Sequence, residues 1–97
     1  MKIKILPSFS ETLLNHIEFI AQDKVSAARK FKSDILSKIQ AIQSFPYKHR
    51  KSIFFDDASI RDMVFKGYVI IYKINLEQGE IEVFSFLKYK ELPDDFV

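Results

Sequence analysis

The sequence predicts an α+β fold: an N-terminal strand, an antiparallel two-helix hairpin, and then a three-stranded antiparallel meander, with the helices packed on one face of the sheet. Two observations lead to this prediction. The run YVIIY at positions 68–72 is the densest apolar stretch of the chain, and β-branched and aromatic residues without clean alternation are typical of a strand covered on both faces. Two amphipathic stretches nearer the N-terminus are the segments long and apolar enough to cover it.

Composition favours one small soluble domain over residues 1–97. The chain has 47% hydrophobic residues, two glycines, three prolines and no cysteine. This composition excludes disorder and disulfides and suits a reducing cytoplasm. Pro7 interrupts the N-terminal segment too early for a signal peptide, and no apolar run approaches membrane-spanning length. We therefore expect a cytoplasmic protein without a membrane partner.

Charge is unevenly distributed along the chain. Residues 1–55 carry ten Lys or Arg against four Asp or Glu, whereas residues 56–97 carry five against nine, giving a net charge of +2. The basic half is suited to an anionic partner, although long helices commonly expose lysines to solvent.

The first two predicted elements are a short strand and a helix. Alternating polar and apolar residues from Lys2 to Ile5 predict the strand, and Pro7 ends it. Ser8 and Glu11 fit a capping box that starts a helix ending near Gln22. The predicted apolar face of this helix comprises Leu13, Leu14, Ile17, Ile20 and Ala21.

A second helix is predicted from Asp23, as its N-cap, to about Ser44. Asp34 and Lys38 are expected to pair on its exposed side. The sequence Phe45-Pro46 stops the helix, because proline disfavours helical geometry in the preceding residue. The predicted apolar face comprises Ala28, Phe31, Ile35, Ile39 and Ile42.

The rest of the chain predicts loops and the meander. The basic segment YKHRKS at 47–52 is read as a solvated loop, or alternatively as a patch for phosphate or an acidic partner. Gly67 marks a hairpin turn before a central strand from Tyr68 to Ile74. A turn at 75–79 and a last strand at 81–87 follow, and residues 88–97 are expected to drape over the surface or fray as a mobile tail.

Few residues suggest a metal site or a nucleophile, and we expect no cofactor. His16 and His49 have no carboxylate at ligand spacing; His16 is expected at a helix edge, and basic neighbours should lower the pKa of His49. The remaining candidates are cationic and aromatic. A ribonuclease without metal needs such a set to stabilise charge on the phosphorane. The candidate target-binding residues are Arg50, Arg61, Lys66, Lys88, Tyr89 and Lys90.

Arg61, Gly67, Tyr68 and Tyr72 form a pattern that resembles the RelE/ParE superfamily of toxins from type II toxin–antitoxin systems. The likeness spans about residues 2–90. Phe45-Pro46 and Arg50 also recur in the ParE branch. The resemblance implies a cognate antitoxin that wraps the toxin, and the abundance of apolar residues supports this expectation. A two-helix domain cannot bury them all, so a groove or patch should remain for a partner. The candidates are Phe9, Leu14, Phe54, Phe55, Phe84, Phe86 and Phe96.

The resemblance leaves the target open. A RelE-like toxin would be a ribosome-dependent mRNA endoribonuclease, with Arg61, Lys88, Tyr89 and Lys90 as its catalytic residues. A ParE-like toxin of the plasmid-stabilisation type would bind DNA gyrase and inhibit growth without catalysis, and a degenerate member would be a non-toxic interaction module.

Two departures favour the gyrase inhibitor. Val69 stands where RelE-like nucleases carry an arginine, and Asp62 stands where one of their lysines would align. One departure from the ParE pattern is Lys88, at a position where a histidine is frequent.

Overall fold

The computed structural model describes residues 1–88, and the chain order of its elements matches the predicted order. The predicted tail therefore lies outside the described residues from position 89 onward. The elements are β1 (Lys2–Ile5), α1 (Pro7–Asp23), α2 (Val25–Ala41), β2 (Arg50–Lys51), β3 (Ile60–Phe65), β4 (Tyr68–Asn75) and β5 (Glu80–Lys88).

The strands form one five-stranded sheet in the order β1-β5-β4-β3-β2. The predicted meander is confirmed as β3, β4 and β5, which pair antiparallel with β4 at the centre. The sheet is mixed rather than purely antiparallel, because β1 pairs parallel to β5. The helical hairpin carries the chain from β1 to β2 at the opposite edge, and the meander then returns it to β5 beside β1. At the opposite edge, β2 pairs with β3, so the segment predicted as a loop contains a two-residue strand.

The hairpin between β3 and β4 has a two-residue turn at Lys66 and Gly67. Both residues have positive φ, 48° and 81°. Such turns match the right-handed twist of the flanking strands, and glycine adopts this conformation without steric strain. The predicted turn at Gly67 is confirmed, and Lys66 is the other residue of the turn.

The helix N-termini differ from prediction. Helix α1 begins at Pro7, with Leu6 as its N-cap and no side-chain cap. Proline suits this position because the first helical amide needs no intrahelical acceptor. The predicted capping box is wrong: the Ser8 hydroxyl instead donates to the carbonyl of Phe84 at 2.7 Å. Only Lys24 separates the helices, so it, and not Asp23, is the N-cap of α2.

Helix α2 buries the predicted face, but its surface ion pair differs. Ala28, Ile35 and Ile39 are buried on this helix. The Asp34 carboxylate contacts the ammonium groups of Lys30 at 3.4 Å and Lys66 at 3.3 Å, rather than that of Lys38. These hydrogen bonds and charges lower the pKa of Asp34, with the Lys66 bond as the largest cause.

The main core lies between the helices and one face of the sheet. Its members include Phe9 and Leu13 from α1 and large residues from β3, β4 and β5. A second, smaller cluster lies on the opposite face and contains Ile60, Val69 and Ile71. Both faces of β4 are therefore covered, as its unalternating sequence predicts.

A β-bulge explains why β5 does not alternate cleanly. Ile71 pairs with Ser85 and Tyr72 with Val83, which leaves Phe84 unpaired between them. Beyond the bulge the side chains change faces, so that Val83 and Phe86 both join the main core. The Ser8 hydroxyl of α1 donates to the carbonyl of Phe84 and so supplies a donor to the bulge.

Within residues 1–88, neither helix combines the length and the apolar character needed to span a membrane.

Candidate functional site

We call the side of the sheet opposite the helices the open face. It carries Ile60, Asp62 and Val64 from β3, Val69 and Ile71 from β4, and Phe84 and Leu87 from β5. Phe54 packs against its apolar cluster, and the Phe55 ring meets the Phe84 ring edge-on with centroids 5.6 Å apart. The loop at 52–59 thus covers part of this face, while Val64 is 44% exposed.

Asp62 lies buried at the edge of the open face and holds Arg50. Asp62 is 1% exposed. Its Oδ2 accepts a hydrogen bond from the guanidinium of Arg50 at 3.3 Å. The same oxygen accepts from the backbone amide of Ile53 at 3.0 Å. The acid that stands in place of a lysine therefore neutralises one of the candidate cations and anchors the start of the covering loop.

Arg61 is held by the segments on both sides of β2. Its Nε donates to the carbonyl of Ala58 at 3.0 Å, and its Nη1 donates to that of His49 at 3.2 Å. Its guanidinium also lies over the ring of Tyr47, 5.0 Å from the centroid. A cation held by carbonyls and a ring has few donors left for a ligand phosphate.

The other candidates lie apart from these arginines. Lys66 is in the β3–β4 turn and pairs with Asp34. Lys88 ends β5, and its ammonium lies 5.4 Å from the centroid of the Phe19 ring. Tyr89 and Lys90 lie outside the described residues. The structure therefore joins Arg50 and Arg61 on neighbouring strands but does not gather the described cations into one cluster.

The centre of the open face is apolar where a phosphate clamp would need charge. Val69 is 0% exposed, and its neighbours in register are Val64 on one side and Leu87 on the other. A cationic head group at position 69 would have to displace these contacts to reach a ligand. The valine therefore stabilises packing and supplies no charge.

An apolar groove runs along the outer edge of β1, and we call it the β1 groove. A cavity of about 570 Å³ includes Ile3, Ile5 and Leu36 in its lining. A neighbouring cavity of about 290 Å³ shares Ile5 and Leu36 and adds Leu14 and Ile17. Ile5 is 40%, Leu14 54% and Leu36 39% exposed. The expected exposed apolar surface is thus present, and Leu14 lies in it.

The backbone of β1 has one free side along this groove. The Lys2 amide donates to the carbonyl of Gly79, just before β5, and the Leu6 amide donates to the carbonyl of Val83 in β5. Because amides alternate along a strand, those of Ile3 and Ile5 point to the outer edge. At its start, Gln43 donates to the outer carbonyl of Met1 at 2.8 Å.

His16 is buried, although the sequence predicted it at the edge of a helix. It is 8% exposed rather than at a helix edge, and its Nε2 lies 2.5 Å from the Tyr68 hydroxyl. The rings of Phe19, Phe31 and Phe86 surround it. Phe9, Leu13 and His16 follow one another at i, i+4 and i+7, and this helical spacing is the signal that could have placed His16 in the core.

His49 lies against the ring of Tyr72, with centroids 6.2 Å apart. Its pKa is lowered by burial first, and then by the charges of Lys48 and Lys38. The predicted direction is therefore confirmed, with burial as the larger cause. Both causes favour the neutral imidazole.

Comparison with known protein families agrees with this architecture. The family model that describes the ParE toxin of the type II toxin–antitoxin system, parDE, matches residues 3–93. The chain belongs to the ParE toxin family. Among proteins with curated descriptions, none matches the chain closely. Membership confirms the resemblance carried by Arg61, Gly67, Tyr68 and Tyr72.

A ParE toxin is one half of a type II toxin–antitoxin pair, so the family implies an antitoxin partner. Two features described above are available to partners of this ParE family member: the β1 groove and the open face with its flanking cations. The first is apolar with a free strand edge, and the second combines apolar residues with basic residues at its rim.

Proposed function

We propose that this toxin inhibits DNA gyrase by binding to it and does not cleave RNA. Family membership supports this proposal, and one observation carries it further: the ion pair between the buried Asp62 and the partly exposed Arg50. This ion pair places the negative charge of Asp62 on β3 and neutralises the positive charge of Arg50 on β2. A metal-free nuclease would hold a phosphate on these strands. Arg61 is likewise occupied by carbonyls of its own chain.

The size of this effect is sufficient to favour binding over catalysis. Loss of one group that stabilises transition-state charge removes on the order of 3 kcal/mol, about a hundredfold in rate. The one described base near these cations, His49, is partly buried against Tyr72 and flanked by like charge. Burial and neighbouring positive charge both oppose the protonated imidazole that would serve as the acid in RNA cleavage.

Gyrase binding would use the rim cations and apolar surface together. The candidate contacts are Arg50, Arg61, Lys66 and Lys88, with Tyr89 and Lys90 following in sequence. Lys66 is well exposed, with 59% of its side chain accessible, and exposed charges of this kind guide association with an anionic partner. Inhibition then follows from occupancy, so no residue need act as an acid or base.

The test adds the purified toxin separately to a gyrase supercoiling assay and to a translation reaction with a primer-extension readout. We expect inhibited supercoiling and no discrete mRNA cuts. Inhibition should survive Tyr89→Phe and be lost when residues 88–97 are deleted. Cuts in the ribosomal A site with supercoiling untouched would overturn the proposal and make Arg61, Lys88, Tyr89 and Lys90 catalytic candidates.

We further propose that the cognate antitoxin neutralises the toxin by occupying the β1 groove. The outward amides of Ile3 and Ile5 can accept a strand, and Leu14 and Leu36 offer apolar contacts for its alternate side chains. Lys2 and Lys4 are exposed on β1, and Lys32 lines the groove. An antitoxin segment with apolar and acidic residues matches this surface.

Hydrogen exchange of the complex tests this site. Binding should slow exchange of the Ile3 and Ile5 amides, and Leu14→Lys should weaken binding at least tenfold. Leu76→Lys is the matched control, because Leu76 is 71% exposed and lies in the β4–β5 turn outside the groove. Equal loss of antitoxin binding in both variants, or unchanged exchange along β1, would contradict this site without bearing on gyrase.

A further inference from the structure

A further cavity lies on the other side of α2 from the β1 groove, and its lining is basic and aromatic. Its volume is about 360 Å³, within the range of small-molecule sites. It lies between the last turns of α2, the segment at 44–49 and β3. Its lining includes Lys38, Ser44, Phe45, Lys48, His49 and Phe65. We call it the lysine pocket.

The positive charge of this pocket comes from two elements that converge. Lys38 belongs to α2 and Lys48 to the following loop, yet both act electrostatically on His49. Among residues 1–88, the lining contains no Asp or Glu, and no carboxylate lies within ion-pair distance of either lysine. Two lysines that line the same cavity favour an anionic ligand.

The end of α2 does not cancel this potential with open carbonyls. The carbonyls of Ile39, Gln40 and Ala41 each accept a backbone amide from the turn that follows. The C-terminal end of a helix carries negative partial charge where its backbone carbonyls stay unpaired. The turn therefore leaves the lysines as the main charges facing the pocket.

Aromatic surface stands beside the charge. Phe45 is 67% exposed, so its ring offers an accessible flat surface in the same lining as the two lysines. Phe65 also belongs to the lining, and the His49 ring and the Ser44 hydroxyl supply hydrogen-bonding groups. Cations next to an accessible ring form the usual recognition set for a phosphate joined to a base.

We propose that the lysine pocket binds one nucleotide unit, with its phosphate between Lys38 and Lys48 and its base stacked on Phe45. The ligand chemistry is shared by free nucleotides and by an unpaired nucleic-acid strand. The site meets the open face at Val64, which also lines the pocket, and it is separate from the β1 groove. The proposal does not depend on gyrase as the target.

The experiment is a titration of the full chain, followed by calorimetry and by NMR of the His49 ring. The probes are AMP, inorganic phosphate, adenosine and a short oligothymidylate. We expect AMP to bind at least tenfold more tightly than phosphate or adenosine alone, and bound phosphate to raise the pKa of His49. Tighter binding of the oligonucleotide than of AMP would identify a strand as the source, and the reverse order a free nucleotide.

Matched variants separate the pocket from general charge. Lys38→Ala with Lys48→Ala should weaken AMP binding at least tenfold, whereas Lys24→Ala with Lys51→Ala removes the same charge from exposed positions elsewhere and should change it less than twofold. Phe45→Ala should reduce AMP affinity to that of phosphate. The proposal is wrong if AMP does not bind, if both lysine pairs have equal effects, or if the His49 pKa stays unchanged.

Discussion

The two faces of the sheet use the same three central strands but are built differently. Among residues 1–88, the helix-covered face joins thirteen buried residues in one cluster, including Tyr72, Ile70 and Phe86. The described part of the open face has a buried cluster of three, Ile60, Val69 and Ile71, and its covering segment is a loop anchored by Asp62. The difference indicates that most of the stabilising apolar packing lies on the helix side. The open face is apolar with a buried acid.

The largest expected effect comes from placing a charge on the helix side. Ile70 is 0% exposed, so Ile70→Asp should prevent folding. An unpaired buried charge costs several kcal/mol, against a total stability of about 5–10 kcal/mol for a small domain. Val64→Asp, in the same hairpin but 44% exposed on the open face, is the control. Circular dichroism melts should show no transition for the first and a cooperative one for the second; equal melts would break the comparison.

The next effect concerns the acid that anchors the open face. Asp62→Ala should destabilise the fold by about 2 kcal/mol, because the partly exposed Arg50 guanidinium and the Ile53 amide lose their shared acceptor. Asp62→Leu combined with Arg50→Met should recover most of this loss, since replacing both partners removes the orphaned charge. Urea unfolding measures each variant, and a double variant as unstable as Asp62→Ala would contradict this account.

A smaller effect involves the Tyr72 hydroxyl, which donates to the carbonyl of Pro46 at 2.5 Å. Burial raises the pKa of Tyr72 to about 12, from 10.0. The folded state therefore holds the proton more tightly, and the free energy of unfolding should fall as pH rises from about 10 to 12, by on the order of 2 kcal/mol. Tyr72→Phe should lose this dependence. Urea titrations at pH 9 and 11 compare the two proteins, and identical slopes with pH would contradict the assignment.

The smallest effect is expected at the surface, where Asp34 pairs with Lys30 and Lys66. Its lowered pKa means that these contacts stabilise the fold above the ordinary carboxyl pKa and are lost as pH falls through the lower folded value. Solvent screens such pairs, so Asp34→Asn should leave the melting temperature at pH 7 nearly unchanged. A large loss of stability would show that the helix side depends on this link between α2 and the β3–β4 turn.

Local patterns were sufficient for much of the fold. The Gly67 turn, the central β4 strand and the buried face of α2 follow from short-range rules and are confirmed. The α1 face was predicted less well, because Leu14 is exposed while Phe9 and His16 are buried. Apolar residues surround that helix, so periodicity alone did not decide which stripe meets the sheet.

The sequence predicted which types of residue form the candidate site, but it did not predict how they are arranged. Arg50 and Arg61 were found by their charge, but their internal partners, Asp62 and the carbonyls of Ala58 and His49, come from other segments. The lysine pocket was missed because Lys38 lies on α2, ten residues before Lys48. Only the turn after α2 brings their charges to the same ring.

The sequence by itself determined the α+β class, the order of the elements and the family, because these depend on periodicity, turn residues and short motifs. Tertiary structure alone decided which charges are available. Asp62 and Arg50 are neighbours only because β2 pairs with β3, and Ser8 leaves its predicted cap because the β5 bulge offers the Phe84 carbonyl. Such contacts depend on register and burial between distant segments, and a buried carboxylate or hydroxyl takes whichever partner the packing supplies.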